Sequence, residues 1–415
     1  MCEMKEPVIR FKGYTDEWEQ RKLGDMVSFS KGTGYSKADL QDSGTPIILY
    51  GRLYTKYETV ISEVDTFADE KPNSVFSKGG EVIVPASGET AEDISVASVV
   101  EQSGVMLGGD LNIITPPQEL DSAFLAISIS NGKPHSDMAK MAQGKSVVHL
   151  HNSDLAKIDL PYPSYEEQRQ ISHHFKNIDN LIAHYQRKCD DLQEVKKYML
   201  QKMFPRNGAK IPEIRFAGFT DEWEQRKLGD ITTKIGSGKT PCGGSEAYVD
   251  DGIPLIRSQN VHDDVVDLSD VAYIDEETNK SMENSLVAYN DVLLNITGAS
   301  IGRSAVYKGA KPANVNQHVC IIRPTEDYSS DFIQMNLASS NGQKQIDSSQ
   351  AGGAREGLNF QQIGKMEFAF PSVDEQNKIG TYFSNLNNLI TLHQCECDAL
   401  KEVKKFMLQN MFPEG

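Results

Sequence analysis

The chain has 415 residues, too many for one ordinary core and about right for two domains with connecting elements. Its 39% hydrophobic and 24% charged content suits a globular protein, and no stretch approaches the roughly 18 apolar residues of a membrane span. A net charge of −17 argues against a free-standing, non-specific nucleic-acid binder, whose affinity comes from neutralising phosphates. An acidic chain that binds DNA needs its basic residues gathered on one face, or a partner that supplies the clamp.

In chain order, the first stretch, MCEMKEPVIRFKGY, lacks the apolar run of a secretory signal, which points to the cytoplasm. Ile9–Asp25, IRFKGYTDEWEQRKLGD, returns as Ile214–Asp230, IRFAGFTDEWEQRKLGD, at a shift of 205 residues. Leu192–Pro205, LQEVKKYMLQKMFP, returns as Leu400–Pro413, LKEVKKFMLQNMFP, at a shift of 208. Two such matches at nearly one spacing mark an internal two-fold repeat. Between these anchors Gly32–Thr115 and Gly236–Pro324 share a rhythm of short apolar runs and glycines but few residues. A constant frame around a variable insert suits a scaffold that presents two different readers.

The first insert reads as α/β, with strands predicted at Pro46–Tyr50, Glu81–Val84 and Ile94–Val100. Its turns carry Lys31, Tyr35, Lys37, Arg52, Tyr54, Lys56, Tyr57, Ser87, Glu89 and Thr90, and Gly144-Lys145-Ser146 forms a further loop. The second insert offers strands at Ile253–Ile256, Asp291–Ile296 and His318–Ile322. Its turns carry Ser237, Lys239, Thr240, Arg257, Ser258, Gln259, Asn260, Thr297, Ser300, Arg303, Asn316 and Gln317, with Arg355 in a last glycine-rich loop. Arg and Lys suit guanine, Asn and Gln suit adenine, and Ser or Thr suit either, so these positions are candidate DNA contacts. Any one of them taken alone also suits a solvated loop.

Each insert runs into a predicted long helix. Ser164-Tyr-Glu-Glu167 and Ser372-Val-Asp-Glu375 read as capping boxes after Pro163 and Pro371, and Pro205 and Pro413 end the helices. About forty residues make roughly 60 Å of helix. Ile178, Leu181, Tyr185, Leu192, Val195 and Met199, and in the second helix Leu386, Leu389, Leu400, Val403 and Met407, give the three-four spacing of a coiled-coil seam. The expected packing is antiparallel, with parallel packing the alternative. Lys188 and Glu396 interrupt the seam at equivalent positions, as a register-fixing pair or as a solvated stretch. The organisation is then a first variable domain over 1–163, a helix over 164–206, a second variable domain over 207–371 and a helix over 372–415.

Signals for catalysis fail one by one. GSGKT at Gly236–Thr240 is half a phosphate loop, with Thr233 where the first glycine belongs. Thr115-Pro-Pro-Gln118 lacks the Asn and the aromatic of an amino-methyltransferase motif, and no glycine-rich cofactor loop, HExxH or nucleophile elbow is present. Cys2, Cys189, Cys242, Cys320, Cys395 and Cys397 contain no CxxC pair and read as reduced thiols. His173, His174, His184 and His393 read as helix-surface or packing residues, not metal ligands.

Asp16-Glu-Trp-Glu-Gln-Arg-Lys-Leu-Gly24 with its second copy, and Pro-Ser-x-x-Glu-Gln around Gln168 and Gln376, resemble the specificity subunits of Type I restriction–modification systems over essentially the whole chain. The resemblance implies two target-recognition domains, each reading one half of a bipartite, gapped site in double-stranded DNA. It implies helices that set the spacer and dock two modification (methyltransferase) subunits carrying S-adenosylmethionine. ATP-dependent restriction subunits join that core, and this chain itself holds no cofactor. A methyltransferase with built-in recognition domains and a protein-binding coiled-coil scaffold are the competing readings; the missing cofactor motifs argue against the first.

Overall fold

The computed structural model describes residues 6–141, 148–205, 209–350 and 357–413. The chain divides into two compact units, Met1–Gln186 with Cys395–Gly415, and Arg187–Gln394. The expected boundaries at 163/164, 206/207 and 371/372 follow element ends, whereas the packing cuts through both long helices. A helix of 38 residues is about 57 Å long, so different stretches of it bury against different cores.

In the first unit Glu19–Lys22 pairs antiparallel with Asp159–Tyr162. A five-stranded sheet runs in the order Ser28–Lys31, Leu111–Thr115, Glu81–Pro85, Ser98–Val100, Val60–Ile61, and a four-stranded sheet is built on Thr45–Ile48. Glu81–Pro85 is buried along its whole length, which accounts for the apolar run Val82–Pro85. Of the expected strand Ile94–Val100 only Ser98–Val100 is extended, because Ile94 is buried from within a turn.

The second unit repeats this plan. Glu224–Lys227 pairs with Glu367–Phe370, and the main sheet runs Thr232–Ser237, Val319–Pro324, Val292–Asn295, Ser304–Val306. A smaller sheet places Ile253–Ile256 beside Ala313–Val315. The strands expected at 46–50, 81–84, 253–256, 291–296 and 318–322 are all present with ends shifted by a residue or two.

The recurring residues hold the frame. Trp18 packs edge-on to Phe124, and Trp223 packs in the same way on Phe332. Each core is closed by the start of the helix that follows it and by the far end of the other helix. Ile171, Phe175, Met411 and Phe412 lie in the first core; Ile379, Phe383, Met203 and Phe204 lie in the second. The chain's last described residues thus complete the domain begun by its first.

Glu167 is buried and takes a bidentate pair from Arg10 at 2.7 and 2.8 Å, and Glu375 takes one from Arg215 at 2.6 and 2.7 Å. The glutamines beside them are staples. Gln168 accepts from the Asp121 backbone N–H at 3.0 Å and donates to the Pro163 carbonyl at 2.9 Å; Gln376 does the same with Ser329 and Pro371 at 3.0 Å each. The capping-box reading is corrected at the glutamates, while Ser372 caps its helix as expected, its hydroxyl accepting the Glu375 N–H at 3.4 Å. The helices begin at Tyr165 and Val373, but the glutamate carboxylates turn to the arginines, a stronger charge-assisted partner than a helix-end amide.

Both long helices, Tyr165–Lys202 and Val373–Asn410, form as expected. Their covered positions include Ile171, Phe175, Ile178, Ile182, Tyr185, Cys189, Leu192, Lys196 and Met199 and the residues 208 further on, with Met203 and Met411 buried just past the helix ends. The three-four spacing holds, but alternate positions of the expected seam were one residue early. Leu181, Val195, Leu389 and Val403 are exposed, whereas Cys189, Cys397 and the stems of Lys196 and Lys404 turn inward. The interruption assigned to Lys188 and Glu396 moves with them to the two cysteines.

Within the first unit His174 meets Met407, Asp179 meets Lys404 at 2.5 Å, and the Ile182 carbonyl faces the Cys397 thiol. Within the second, Cys189 faces the Ile390 carbonyl. Rising numbers on one helix meet falling numbers on the other, so the contacts are antiparallel. His174, half-buried against Met407 and the edge of Phe11, has its pKa lowered by burial and by neighbouring His173, as a packing residue should.

Candidate nucleic-acid interface

In the second unit the predicted loop residues converge. The loop after Thr232–Ser237 is drawn against the end of Ala313–Val315, where a Cβ on Gly238 would lie 1.6 Å from the Val315 carbonyl oxygen. Only glycine permits that approach. In the first unit Gly32 plays the same part against the Gly108 carbonyl, at 1.9 Å.

The Gly238 contact brings two loops together. The Gly238 N–H donates to the Asn316 carbonyl at 3.3 Å, and Thr240 Oγ1 donates to Gln317 Oε1 at 2.5 Å. Gln317 Nε2 lies 3.0 Å from His318 Nε2, and His318 Nδ1 meets Thr297 Oγ1. Three loops are therefore joined side chain to side chain through Thr240, Gln317, His318 and Thr297. Asn316 Oδ1 accepts the His318 backbone N–H at 3.0 Å and locks the turn that carries Gln317.

Beside this chain lies the turn Ser258–Asn260. Asn295, fully buried at the end of its strand, donates to the Ser258 and Val261 carbonyls at 2.9 and 3.1 Å. Arg257 donates to the Asp270 carbonyl at 3.2 Å and lies over the Tyr248 ring, while Gln259 is exposed. Asn260 is corrected. It is buried, accepts from the Arg257 N–H at 3.0 Å and donates to the Asp270 carbonyl at 3.2 Å, so its amide is spent inside the fold. Lys239 and Arg303 are exposed, Ser237 and Ser300 half-buried. The GSGKT string runs out of a strand into this loop and then a short turn, Gly244–Ala247, without the helix that a phosphate loop requires.

In the first unit the predicted residues split into two groups. Tyr54 donates to the Ser87 carbonyl, and burial pushes its phenol above the usual range. Ser87–Gly88 pairs with Val148–His149, and Thr90 exchanges hydrogen bonds with Asp93 at 3.0 and 3.1 Å. Lys31 is exposed at the end of its strand, next to Ser30, whose carbonyl accepts from Asn152 at 3.0 Å. Sequence reading missed three residues of this group. Tyr50 meets Tyr54 edge-on, and the exposed rings of His149 and His151 stack at 6.4 Å. The H-x-H spacing on an extended segment was the available signal for the two histidines.

The second group braces the smaller sheet. Tyr35 is buried; its hydroxyl accepts from the Lys71 N–H at 2.8 Å and meets Ser74 Oγ at 2.5 Å. Arg52 is buried with its guanidinium on Asp65, on Glu58 at 2.8 Å and on the Glu63 carbonyl at 2.9 Å. Both are corrected to structural residues, because both side chains are buried and the Tyr35 hydroxyl and the two terminal nitrogens of Arg52 are bonded within the fold. Lys56 pairs with Asp65 at 2.9 Å, Tyr57 donates to Ser130 at 3.2 Å, and Lys37 and Glu89 are exposed. Ser87 itself is buried. Lys145 and Arg355 lie outside the described residues.

The sequence pattern of the family described as the Type I restriction modification DNA specificity domain matches residues 15–194 and again residues 220–402. The chain belongs to this family. It is similar to the MjaVIII specificity subunit of Methanocaldococcus jannaschii, at 20% identity over 94% of this chain and 91% of that one. It is also similar to the EcoBI specificity subunit of Escherichia coli, at 26% identity over 56% of this chain and 52% of that one. The fold matches a crystallised Type I S subunit from M. genitalium with a TM-score of 0.66 at 14% identity, over 99% of this chain and 100% of that one. The function is that of the family: a specificity subunit with two DNA specificity domains and no catalysis of its own. Among the described residues no helix is long and apolar enough to cross a membrane.

Proposed function

We propose that each unit reads one half of a bipartite DNA site through the loops just described. The first would use Lys31, Tyr50, Tyr54, Thr90, His149 and His151; the second would use Lys239, Thr240, Arg257, Gln259, Thr297, Arg303 and Gln317. One observation carries the reading. The two units share ribbon, tryptophan, arginine–glutamate pair and glutamine staple, yet their inserts have few residues in common in the loops at the ends of their central strands. In this reading the antiparallel helices form a coiled coil whose length sets the gap between half-sites.

The helices also offer a docking surface for two methyltransferase subunits. Leu181 and Leu389 are each 44% exposed, Val195 and Val403 are 43% and 48%, and Tyr198 and Phe406 are 53% and 56%. Singly exposed apolar residues are ordinary. A patch that recurs at matched positions fits one partner bound twice: Leu181, Val403 and Phe406 belong to one unit, and Leu389, Val195 and Tyr198 to the other. Basic surfaces on those partners would supply the phosphate contacts that a chain of net charge −17 lacks. ATP-dependent restriction subunits would join this core in the cytoplasm.

The test is methylation mapping of the complex purified with its modification subunits. Exchanging Gly32–Thr115 for the insert of another family member should change one half-site and leave the gap and the other half unchanged. A simultaneous change of both halves would refute the assignment of one unit to one half. Aspartate at Leu181 and Phe406 together should halve the number of modification subunits bound per chain; full retention would remove the docking surface.

A further inference from the structure

We infer that Gln317 is an adenine reader, its amide fixed before DNA arrives by Thr240 on one side and His318 on the other. The inference rests on the DNA-reading role proposed above and goes further by naming the base. Gln317 is exposed on the turn between Ala313–Val315 and Val319–Pro324. That turn is held by backbone bonds from Asn316 N–H to the Ile256 carbonyl at 3.1 Å and from Gly238 N–H to the Asn316 carbonyl at 3.3 Å.

A carboxamide has two acceptor sites on its oxygen and two N–H donors on its nitrogen. Thr240 uses one acceptor site of Oε1, and His318 Nε2 takes one N–H of Nε2. Among the described residues, one acceptor site and one N–H of this exposed side chain remain. The His318 ring that orients the amide is itself held at Nδ1 by Thr297.

The major-groove edges of the bases differ in what they demand. Adenine presents an N6 donor beside an N7 acceptor and is satisfied by one acceptor and one donor. Guanine presents two acceptors, cytosine one donor, and thymine an acceptor with a methyl group. The free edge of Gln317 matches adenine alone. Because the neighbours have already fixed the amide, binding loses little side-chain freedom, which sharpens discrimination.

The experiment uses the full-length chain purified with its modification subunits and a library of duplexes randomised across both half-sites. Bound sequences are counted for the wild type and for Gln317→Ala, Gln317→Glu, Thr240→Val and Thr240→Ser. The wild type should show a fixed adenine in one half-site. Gln317→Ala should lower the preference at that position alone by roughly 5- to 150-fold, the range for one bidentate contact. Gln317→Glu should move the preference there to cytosine, whose N4 donates to a carboxylate. Thr240→Val should weaken the adenine preference in part, and Thr240→Ser should restore it, which marks Thr240 as a positioning residue. An unchanged adenine preference in Gln317→Ala, or no fixed adenine in the wild type, overturns the inference while selective binding elsewhere leaves the DNA-reading role intact. No sequence selection by the wild type would instead sink that role.

Discussion

Replacing Phe412 by alanine should destabilise the domain that begins four hundred residues earlier in the chain. Phe412 is 4% exposed, and its ring centre lies 6.3 Å from Trp18, 6.0 Å from Phe124 and 6.4 Å from Phe175. A phenylalanine buries about 150–250 Å². The transfer free energy at about 25 cal/mol/Å² and the cavity left in a packed core together give a cost of about 3–5 kcal/mol. In a unit of about 200 residues each kcal/mol lowers the midpoint by about 2–4 °C, so its transition should fall by about 6–20 °C. Hydrogen exchange read by mass spectrometry localises the effect. Protection should drop in Glu81–Pro85 and Leu111–Thr115 and persist in Val292–Asn295 and Val319–Pro324. Phe204→Ala, which removes the ring beside Trp223 and Phe332, should give the mirror result. If Phe412→Ala leaves the first pair of strands protected, or exposes the second pair, the closure of the first core by the chain's end is wrong.

Arg10→Ala should cost about 3–5 kcal/mol because it strands the buried Glu167 carboxylate, and Arg10→Ala with Glu167→Gln should recover part of that loss; equal stability of single and double variants in thermal unfolding would contradict the pairing. Iodoacetamide at pH 8 should label the exposed Cys242 and Cys395 and spare Cys189, Cys397 and Cys320, whose thiol burial pushes up to about 12; comparable labelling of Cys320 and Cys242 in peptide mapping would refute its placement. The Asp65 carboxyl, held at about 2 by hydrogen bonds first from Lys56 and then from Arg52, lies below its ordinary 3.8. Its stabilisation is therefore complete above about pH 4 and lost as the pH falls through 2, so the stability gap between wild type and Asp65→Asn should be flat from pH 7 to 5 and close below 4. A gap that instead widens toward acid pH would reverse the sign of this coupling.

The two-fold frame was legible because it is written in identical residues, and the central strands because burial on both faces demands apolar runs such as Val82–Pro85 and Val319–Ile322. The glutamates of the two capping motifs were visible, but their partners were not. Arg10 and Glu167 are 157 residues apart, and no local rule joins them. Among the loop residues, residue type alone could not separate Gln317, which faces solvent, from Asn260 and Arg52, which are consumed inside the fold. Base-reading chemistry and buried satisfaction use the same donors and acceptors, so only the neighbours decide between them.

The helix seam draws the same line. From the sequence alone came the repeat, the α/β inserts, the two helices and their three-four periodicity, because these depend on identity and local spacing. Tertiary structure decided the phase of the seam, where Cys189 and Lys196 turn inward and the more apolar Leu181 and Val195 turn out. It also decided that Phe412 completes the first core and Phe204 the second. Both outcomes rest on which surfaces meet across long stretches of chain, and a residue's own hydrophobicity carries no record of that.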